Sequence, residues 1–275
     1  SFPVLPLYKY CDAGWCAQTG VSAALLAKLG MTGFTTILDG DLGFWKMYGA
    51  SRCDFDLMVR ELGTKWHIMD SAFKPWPSCR HTHFPLTIFT KILRENELKP
   101  EEIEKVIIYI NPAGSSPRFH NQNPKDMISC QFSYPHVMAM AALNMKSGPE
   151  WYSPETINDP MVRRFREKVI VKTEPSVKME AEDGIVKKLF GRVEVVARGK
   201  TFSGSTEYAR GDPWTTETKM SPEELNEKFR NLASTLAVAS EGWQKRIDRL
   251  IEITNDLENV RELASLTKLL SPWSS

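Results

Sequence analysis

WHIMDSAFKPWPSCRHTH, residues 66–83, is where the chain changes texture and where its architecture is decided. The prolines Pro75, Pro77 and Pro85 restrict the backbone around it, and no helical period is readable before Phe84, so a domain boundary is expected at about residue 65. Upstream, WCAQTGVSAALLAKL at 15–29 reads as an Ala- and Gly-rich helix that packs closely against other helices, with Gly30 as its C-terminal stop. Gly33, Gly40 and Gly43 then mark a loop before a short helix around Phe44–Tyr48. Downstream, the spacing predicts a helix over 85–96, a cap near Pro100 and a buried strand, VIIYI, at 106–110. An Ala- and Met-rich helix is expected over 132–145, and strands over 169–172, 192–197 and 201–206, the last two joined as a hairpin at Arg198, Gly199 and Lys200.

Ser221 with Glu224 three residues on forms a capping box that opens a helix carrying Leu225, Phe229, Leu232 and Leu236, and a second helix follows over 243–257. The chain thus ends as it begins, in helices. The expected fold class is a multidomain α+β protein: a helical domain from residues 1–65 and 214–275, with an α+β lid domain, 66–213, inserted into it. No internal repeat or low-complexity tract is present.

Composition narrows the function classes. With 42% hydrophobic and 25% charged residues, and 35 basic against 34 acidic side chains, this is an ordinary folded protein with no polyelectrolyte character, which argues against disorder and against a nucleic-acid partner. No apolar run approaches the roughly 20 residues of a membrane span, so a soluble, cytoplasmic protein is expected. Five scattered cysteines, Cys11, Cys16, Cys53, Cys79 and Cys130, form no CxxC pair and read as reduced thiols rather than a disulfide scaffold or a zinc cage. The chain starts at Ser1 without Met, and Pro3 and Pro6 alternate at once with the aromatics Phe2, Tyr8 and Tyr10. That pattern raises the expectation that the molecule begins elsewhere.

The densest chemistry lies in Lys74–His83, which sets an amine, a thiol, a guanidinium and two imidazoles within ten residues, with Ser78 among them. Lysine and arginine clamp carboxylates, and histidine or lysine moves a proton beside one at neutral pH. The competing reading is a polar linker that is merely solvated. His81 and His83 are metal-ligand types, but with no Asp, Glu or second cysteine beside them no metal is expected. Lys9, Asp12 and Trp15 form a second polar group ahead of the first helix, although a lone lysine is usually a surface residue. Ser133, Tyr134 and His136 open the Ala-rich helix, where the dipole favours an anion, while a cap plus core aromatics is the plainer explanation. GxSxG, GxGxxG and P-loop signatures are absent, which removes the main support for serine-hydrolase and nucleotide-binding readings.

Residues 14–44 (GWCAQTGVSAALLAKLGMTGFTTILDGDLGF), 74–83 (KPWPSCRHTH), 131–141 (QFSYPHVMAMA), and the pairing of GKTFSG at 199–204 with SPEELNEKF at 221–229 stand in the order of the 2-methylcitrate dehydratase (MmgE/PrpD) family, which the chain resembles along nearly its whole length. That family also holds cis-aconitate decarboxylase and iminodisuccinate epimerase. The resemblance implies a two-domain homodimeric enzyme that needs no cofactor, with a lid domain inserted into a helical one. It places Lys9 and Lys74 in the pocket. Five residues after Lys74, where the decarboxylase branch has a histidine, this chain has Cys79, within a form similar to the dehydratase and epimerase branches. His136 stands where the family has a tyrosine, with Tyr134 two residues away. The long N-terminal helical half of the relatives has no counterpart here, so a second chain carrying that half, a fragment, or a noncatalytic partner subunit are the expectations that follow. The resulting reading is a cofactor-independent dehydratase that abstracts a proton next to a carboxylate of a small hydroxy di- or tricarboxylate. Lys74, His81, Lys9 and His136 are its expected catalytic residues, and Arg80, Ser78, Cys79, His83 and Tyr134 its expected substrate contacts. An epimerase of a small dicarboxylate is the alternative.

Overall fold

A computed structural model describes residues 10–51, 53–174, 179–182, 185–235 and 241–270. Lys9 and Leu236, both singled out above, lie outside the described residues. The chain divides into two compact units, one ending at Asp70 and one running from Ser71 onward.

The first unit is helical. Helix α1 (Asp12–Lys28) ends in a Schellman motif, with Gly30 N–H donating to Ala27 O at 2.9 Å and Met31 N–H to Leu26 O at 3.0 Å. Two short helices follow, α2 (Phe44–Met47) and α3 (Phe55–Val59). No residue of α1 is buried, and Trp15, Val21, Leu25 and Leu26 all stand exposed along it. A helix with apolar side chains all round is built to be covered on every side.

The second unit is a two-layer α+β structure. Helix α4 (Arg80–Glu95) is followed by strand β1 (Ile103–Ile110), then helices α5 (Met127–Phe132), α6 (Tyr134–Ala142), α7 (Pro154–Asn158) and α8 (Pro160–Glu167). Next come strands β2 (Val169–Thr173), β3 (Met179–Glu182), β4 (Ile185–Leu189), β5 (Gly191–Ala197) and β6 (Lys200–Thr206), and helices α9 (Pro222–Ala233), α10 (Glu241–Asn255) and α11 (Leu263–Leu270). One sheet has the order β2-β1-β5-β6, with β1 parallel to β2 and antiparallel to β5; β3 and β4 form a separate hairpin. Along β1 and β5, Val106, Ile108, Ile110, Val193 and Val195 are buried at alternate positions under the helices. The opposite face is polar, with Arg192 bonded to Glu194 at 2.6 Å and lying 3.6 Å over the Tyr109 ring. One covered and one wet face is the pattern expected of antiparallel pairing. Arg198 (φ 54°) and Gly199 (φ 66°) make the two-residue turn between β5 and β6, the left-handed pair that a twisted hairpin takes.

Helix starts are written locally. Ser153 precedes Pro154, Asp159 precedes Pro160 and Ser221 precedes Pro222, and each of the three polar side chains accepts a backbone N–H of the first turn. Two expectations are corrected. The helix expected over 132–145 is broken at Ser133, whose N–H closes α5 onto Ser129 O at 3.2 Å while its hydroxyl caps α6 through His136 N–H at 3.1 Å. The helix expected from Pro85 starts five residues earlier, at Arg80, so Pro85 sits inside α4.

Candidate active site

The segment leading into α4 is not a solvated linker. Phe73 N–H donates to Gly211 O at 2.9 Å, Pro75 O accepts Ser147 Oγ at 2.8 Å, Pro77 O accepts Tyr152 Oη at 2.5 Å, and Cys79 N–H donates to Gln131 O at 2.9 Å. Gly211 has φ +101°, and a Cβ there would lie 1.9 Å from Phe73 O, so only glycine allows this approach. These bonds hold Lys74, which remains exposed, at a fixed place beside the start of α4. Ser78 is buried and bonds Thr82 Oγ1 at 2.7 Å, so its hydroxyl completes the first turn of the helix.

Pro85 explains the next feature. It has no N–H to give to the carbonyl four residues back, and that carbonyl, His81 O, accepts the Tyr134 hydroxyl at 3.3 Å instead. Tyr134 is fully buried and leans on Phe119, with ring centroids 5.4 Å apart; burial and the neighbouring Cys79 thiol push its hydroxyl pKa up. Gly114 leaves room beside this pair: a Cβ there would sit 3.2 Å from Tyr134 Oη and 3.5 Å from His81 Nδ1. Gly114 is itself fixed by its N–H to Asn111 Oδ1 at 2.9 Å. A glycine at 114 therefore lets the backbone pack closely against the hydroxyl and the imidazole, where a side chain would be crowded.

The electrostatics around His81 are cationic. Burial lowers its pKa first, and the charges of Arg118 and Arg80 lower it further, so the ring is neutral at pH 7. Its Nδ1 is shut off from solvent and has no hydrogen-bond partner among the described residues, and Arg80 Nη1 is in the same position. Such orphaned polar atoms cost about 1–3 kcal/mol each, a cost that a polar ligand bonding to them removes. The other end of the Arg80 guanidinium, Nη2, meets Asp212 Oδ1 at 2.5 Å, and Asp212 Oδ2 accepts Ala209 N–H at 2.7 Å. Asp212 is wholly buried, and burial raises its pKa although Arg80 opposes the shift. The α4 N-terminus adds a positive dipole end. A neutral base beside two guanidiniums and a helix N-terminus can accept a proton while the surroundings hold the anion left behind.

The structure brings Lys74, Arg80, His81, Cys79 and Tyr134 together around the start of α4, with Ser78 beneath them. It does not bring His83 and His136 there with ring atoms to spare. His83 is fully buried, its Nδ1 3.0 Å from Cys79 O and its Nε2 3.2 Å from Trp76 O; burial, with Lys74 and Arg80, holds its pKa down to about 3. His136 is equally buried: its Nε2–H donates to Trp151 O at 2.8 Å and its Nδ1 accepts Arg166 Nη2–H at 2.7 Å, with burial and then Arg166 holding the pKa to about 3. Both ring nitrogens of His136 are engaged inside the protein, whereas neutral His83, with one N–H between two carbonyl oxygens, donates to only one of them. Asp12 and Trp15 are exposed on α1, in the first unit.

Asp212, Arg118 and Gly114 were not read from the sequence. Arg118 lies in the helical turn Pro117–His120, its guanidinium 4.6 Å over the Phe132 ring. PRFH at 117–120, an arginine and a histidine beside a proline as in the Lys74 motif, was the available signal. Asp212 carried none, because its partner is 132 positions away. Among the described residues no group of three His, Cys, Asp or Glu side chains fit to hold a metal comes together, and no helix is long and apolar enough to cross a membrane.

Human cis-aconitate decarboxylase is 26% identical over 268 residues, covering 95% of this chain and 52% of the human protein. Mouse cis-aconitate decarboxylase is 25% identical over 273 residues, with the same two shares. The chain therefore spans about half the length of the curated relatives it matches. The family model for the MmgE/PrpD C-terminal domain matches residues 76–253, which takes in α4, the sheet and most of α10. On that match, the chain belongs to the MmgE/PrpD family.

Proposed function

We propose that this chain carries the catalytic base and the carboxylate-binding cations of a lyase acting on small di- or tricarboxylates. The observation that supports this most is His81, an imidazole with lowered pKa and an orphaned Nδ1 beside the charges of Arg118 and Arg80. His81 takes the proton from the carbon next to a substrate carboxylate. Arg80, Lys74 and the α4 N-terminus stabilise the negative charge that spreads onto that carboxylate. The Tyr134 hydroxyl, which donates to His81 O, holds the backbone that carries the His81 imidazole. Loss of hydroxide from the neighbouring carbon completes a dehydration, with no cofactor required.

Cys79, in place of the histidine of the decarboxylase branch, favours dehydration over loss of CO2. The curated relatives are nonetheless named for a decarboxylation, so the leaving group is part of the proposal. An epimerase of a small dicarboxylate is the second reading: the same proton leaves and a proton returns to the same carbon, with no leaving group. In this account the protein is cytoplasmic and oligomeric. The other half of the family fold is carried by a second chain. Exposed apolar residues along α1 support such a cover; a noncatalytic role completing a partner's site is what remains if turnover is absent. The test is turnover of malate, citrate and 2-methylcitrate by the native protein, followed by absorbance of the alkene product. A Lys74→Ala variant is expected to lose about 10²-fold or more; unchanged turnover in that variant would overturn the assignment.

A further inference from the structure

The turn at 209–218 is docked onto α4 and the segment before it at three points. Arg210 N–H donates to Thr87 Oγ1 at 2.8 Å, Gly211 O accepts Phe73 N–H at 2.9 Å, and Asp212 Oδ1 meets Arg80 Nη2 at 2.5 Å. The turn is also stiffened within itself. Gly211 N–H donates to Thr218 O at 2.6 Å, and the Thr218 hydroxyl donates to Asp212 O at 3.0 Å. The Asp212 carboxylate, wholly buried, therefore stands at a fixed place, with its second oxygen, Oδ2, held by Ala209 N–H at 2.7 Å. What it grips is one end of a guanidinium. An arginine–carboxylate pair that serves only to join two elements commonly closes through two parallel bonds, two oxygens against two nitrogens. Here one oxygen goes to Ala209 instead, and Arg80 Nη1 is left shielded from solvent with no hydrogen-bond partner among the described residues. Arg80 Cζ lies 5.0 Å from the centroid of the Phe84 ring, which bounds the guanidinium on another side. The bonds at Thr87 and Phe73 already tie the turn down, so the ion pair does more than fasten it.

We propose that Asp212 is a positioning residue of the candidate site: by holding Arg80 at Nη2 it presents Nη1 to a carboxylate of the substrate. This rests on the proposed carboxylate chemistry at His81 and adds to it a residue that acts only through Arg80. The Arg80 side chain is 28% exposed, so without a fixed counter-ion it would spread over many rotamers, and ordering it would weaken ligand binding. Held by Asp212, the guanidinium is ordered in advance. The partial exposure also means that a ligand needs only a small local shift to meet the shielded nitrogen.

The test is a double-mutant cycle read by calorimetric titration of the native protein with citrate at pH 7, across wild type, Asp212→Asn, Arg80→Gln and the two combined. Asparagine keeps the shape of the side chain, and its carbonyl can still accept Ala209 N–H, so the substitution removes the charge that grips Arg80. Asp212→Asn is expected to weaken citrate binding about ten-fold when Arg80 is present and by less than about two-fold in the Arg80→Gln background. An equal loss in both backgrounds, which is what a merely structural role produces, overturns the proposal and leaves the His81 reading standing. So does citrate affinity in Asp212→Asn that is within two-fold of wild type or tighter. Wild-type protein that does not bind citrate sinks both. Should Asp212→Asn fail to fold, 15N-arginine NMR of the wild type gives the answer. Arg80 is expected to show separate Nη1 and Nη2 signals before ligand is added, with citrate moving Nη1. One averaged Nη signal in the free protein, or an Nη1 signal that citrate leaves in place, overturns the proposal.

Discussion

Acid should destabilise this fold earlier than its carboxylates alone would allow, because His83 and His136 are buried in the neutral form. Both are held down to about 3 from the ordinary 6.5, burial being the largest cause in each, followed by Arg166 for His136 and by Lys74 and Arg80 for His83. The sign follows from where the proton binds. Below pH 6.5 the unfolded chain takes up a proton at each position that the folded chain refuses, so their contribution is complete above 6.5 and is lost as pH falls toward 3. One histidine well below its unfolded pKa costs about 1.4 kcal/mol per pH unit. Between pH 6 and 5, with the unfolded imidazoles about three-quarters to fully protonated, the two together cost about 2.4 kcal/mol. The lowered pKa values of His81 and His120 add to this loss, whereas Asp212, whose pKa burial raises, works against it. The net expectation is a loss of about 2 kcal/mol over that unit, a large share of the roughly 5–15 kcal/mol that holds a domain together. Guanidinium denaturation followed by tryptophan fluorescence at pH 7, 6 and 5 measures it. His136→Gln should be less stable at pH 7 and should have a shallower pH slope, by about 1.2 kcal/mol over the same unit. A stability that changes by less than about 0.5 kcal/mol from pH 6 to 5, or an unchanged slope in His136→Gln, would refute the reasoning.

Three further outcomes are expected. Asp212→Ala leaves the Arg80 guanidinium without its counter-ion and should cost about 2–3 kcal/mol, below the full price of a buried pair because the Arg80 side chain is 28% exposed; equilibrium denaturation checks this. Gly211→Ala drives a Cβ into Phe73 O and should cost about 2–4 kcal/mol and loosen the Lys74 segment, seen as faster amide exchange at Phe73. Pro85→Ala restores an N–H that competes for His81 O, so stability should change by less than about 1 kcal/mol while a structure of the variant shows the Tyr134 hydroxyl released.

What was legible in the sequence was what neighbours decide. The Ser221–Glu224 capping box, the apolar strand at 106–110 and the turn at Arg198–Gly199 are set by side chains within four residues of the backbone they serve. The start of α4 was missed for the opposite reason. Pro85 reads as a helix opener, and only the distant Tyr134 hydroxyl makes it tolerable inside the helix. Ser133 breaks its helix because its hydroxyl also reaches Asn121 O at 2.6 Å, a contact with no local sign. In the site, the Lys74–His83 cluster was visible as composition, but its chemistry divides by partners: His81 keeps an orphaned nitrogen, while His83 two residues on is spent on carbonyls. Asp212 and Arg118 come from elements away from the Lys74–His83 motif and acquire meaning only through packing.

The central claim is that neutral His81 moves a proton at the carbon beside a carboxylate. Its most direct test is solvent exchange at that carbon, followed by proton NMR in deuterated water, with malate, citrate and 2-methylcitrate as probes and the native protein as catalyst. The account predicts deuterium incorporation by the wild type that strengthens as pH rises through the His81 titration and falls by about 10²-fold or more in His81→Gln. Equal incorporation in a folded His81→Gln variant, or none by wild-type protein that binds the probe, would contradict it.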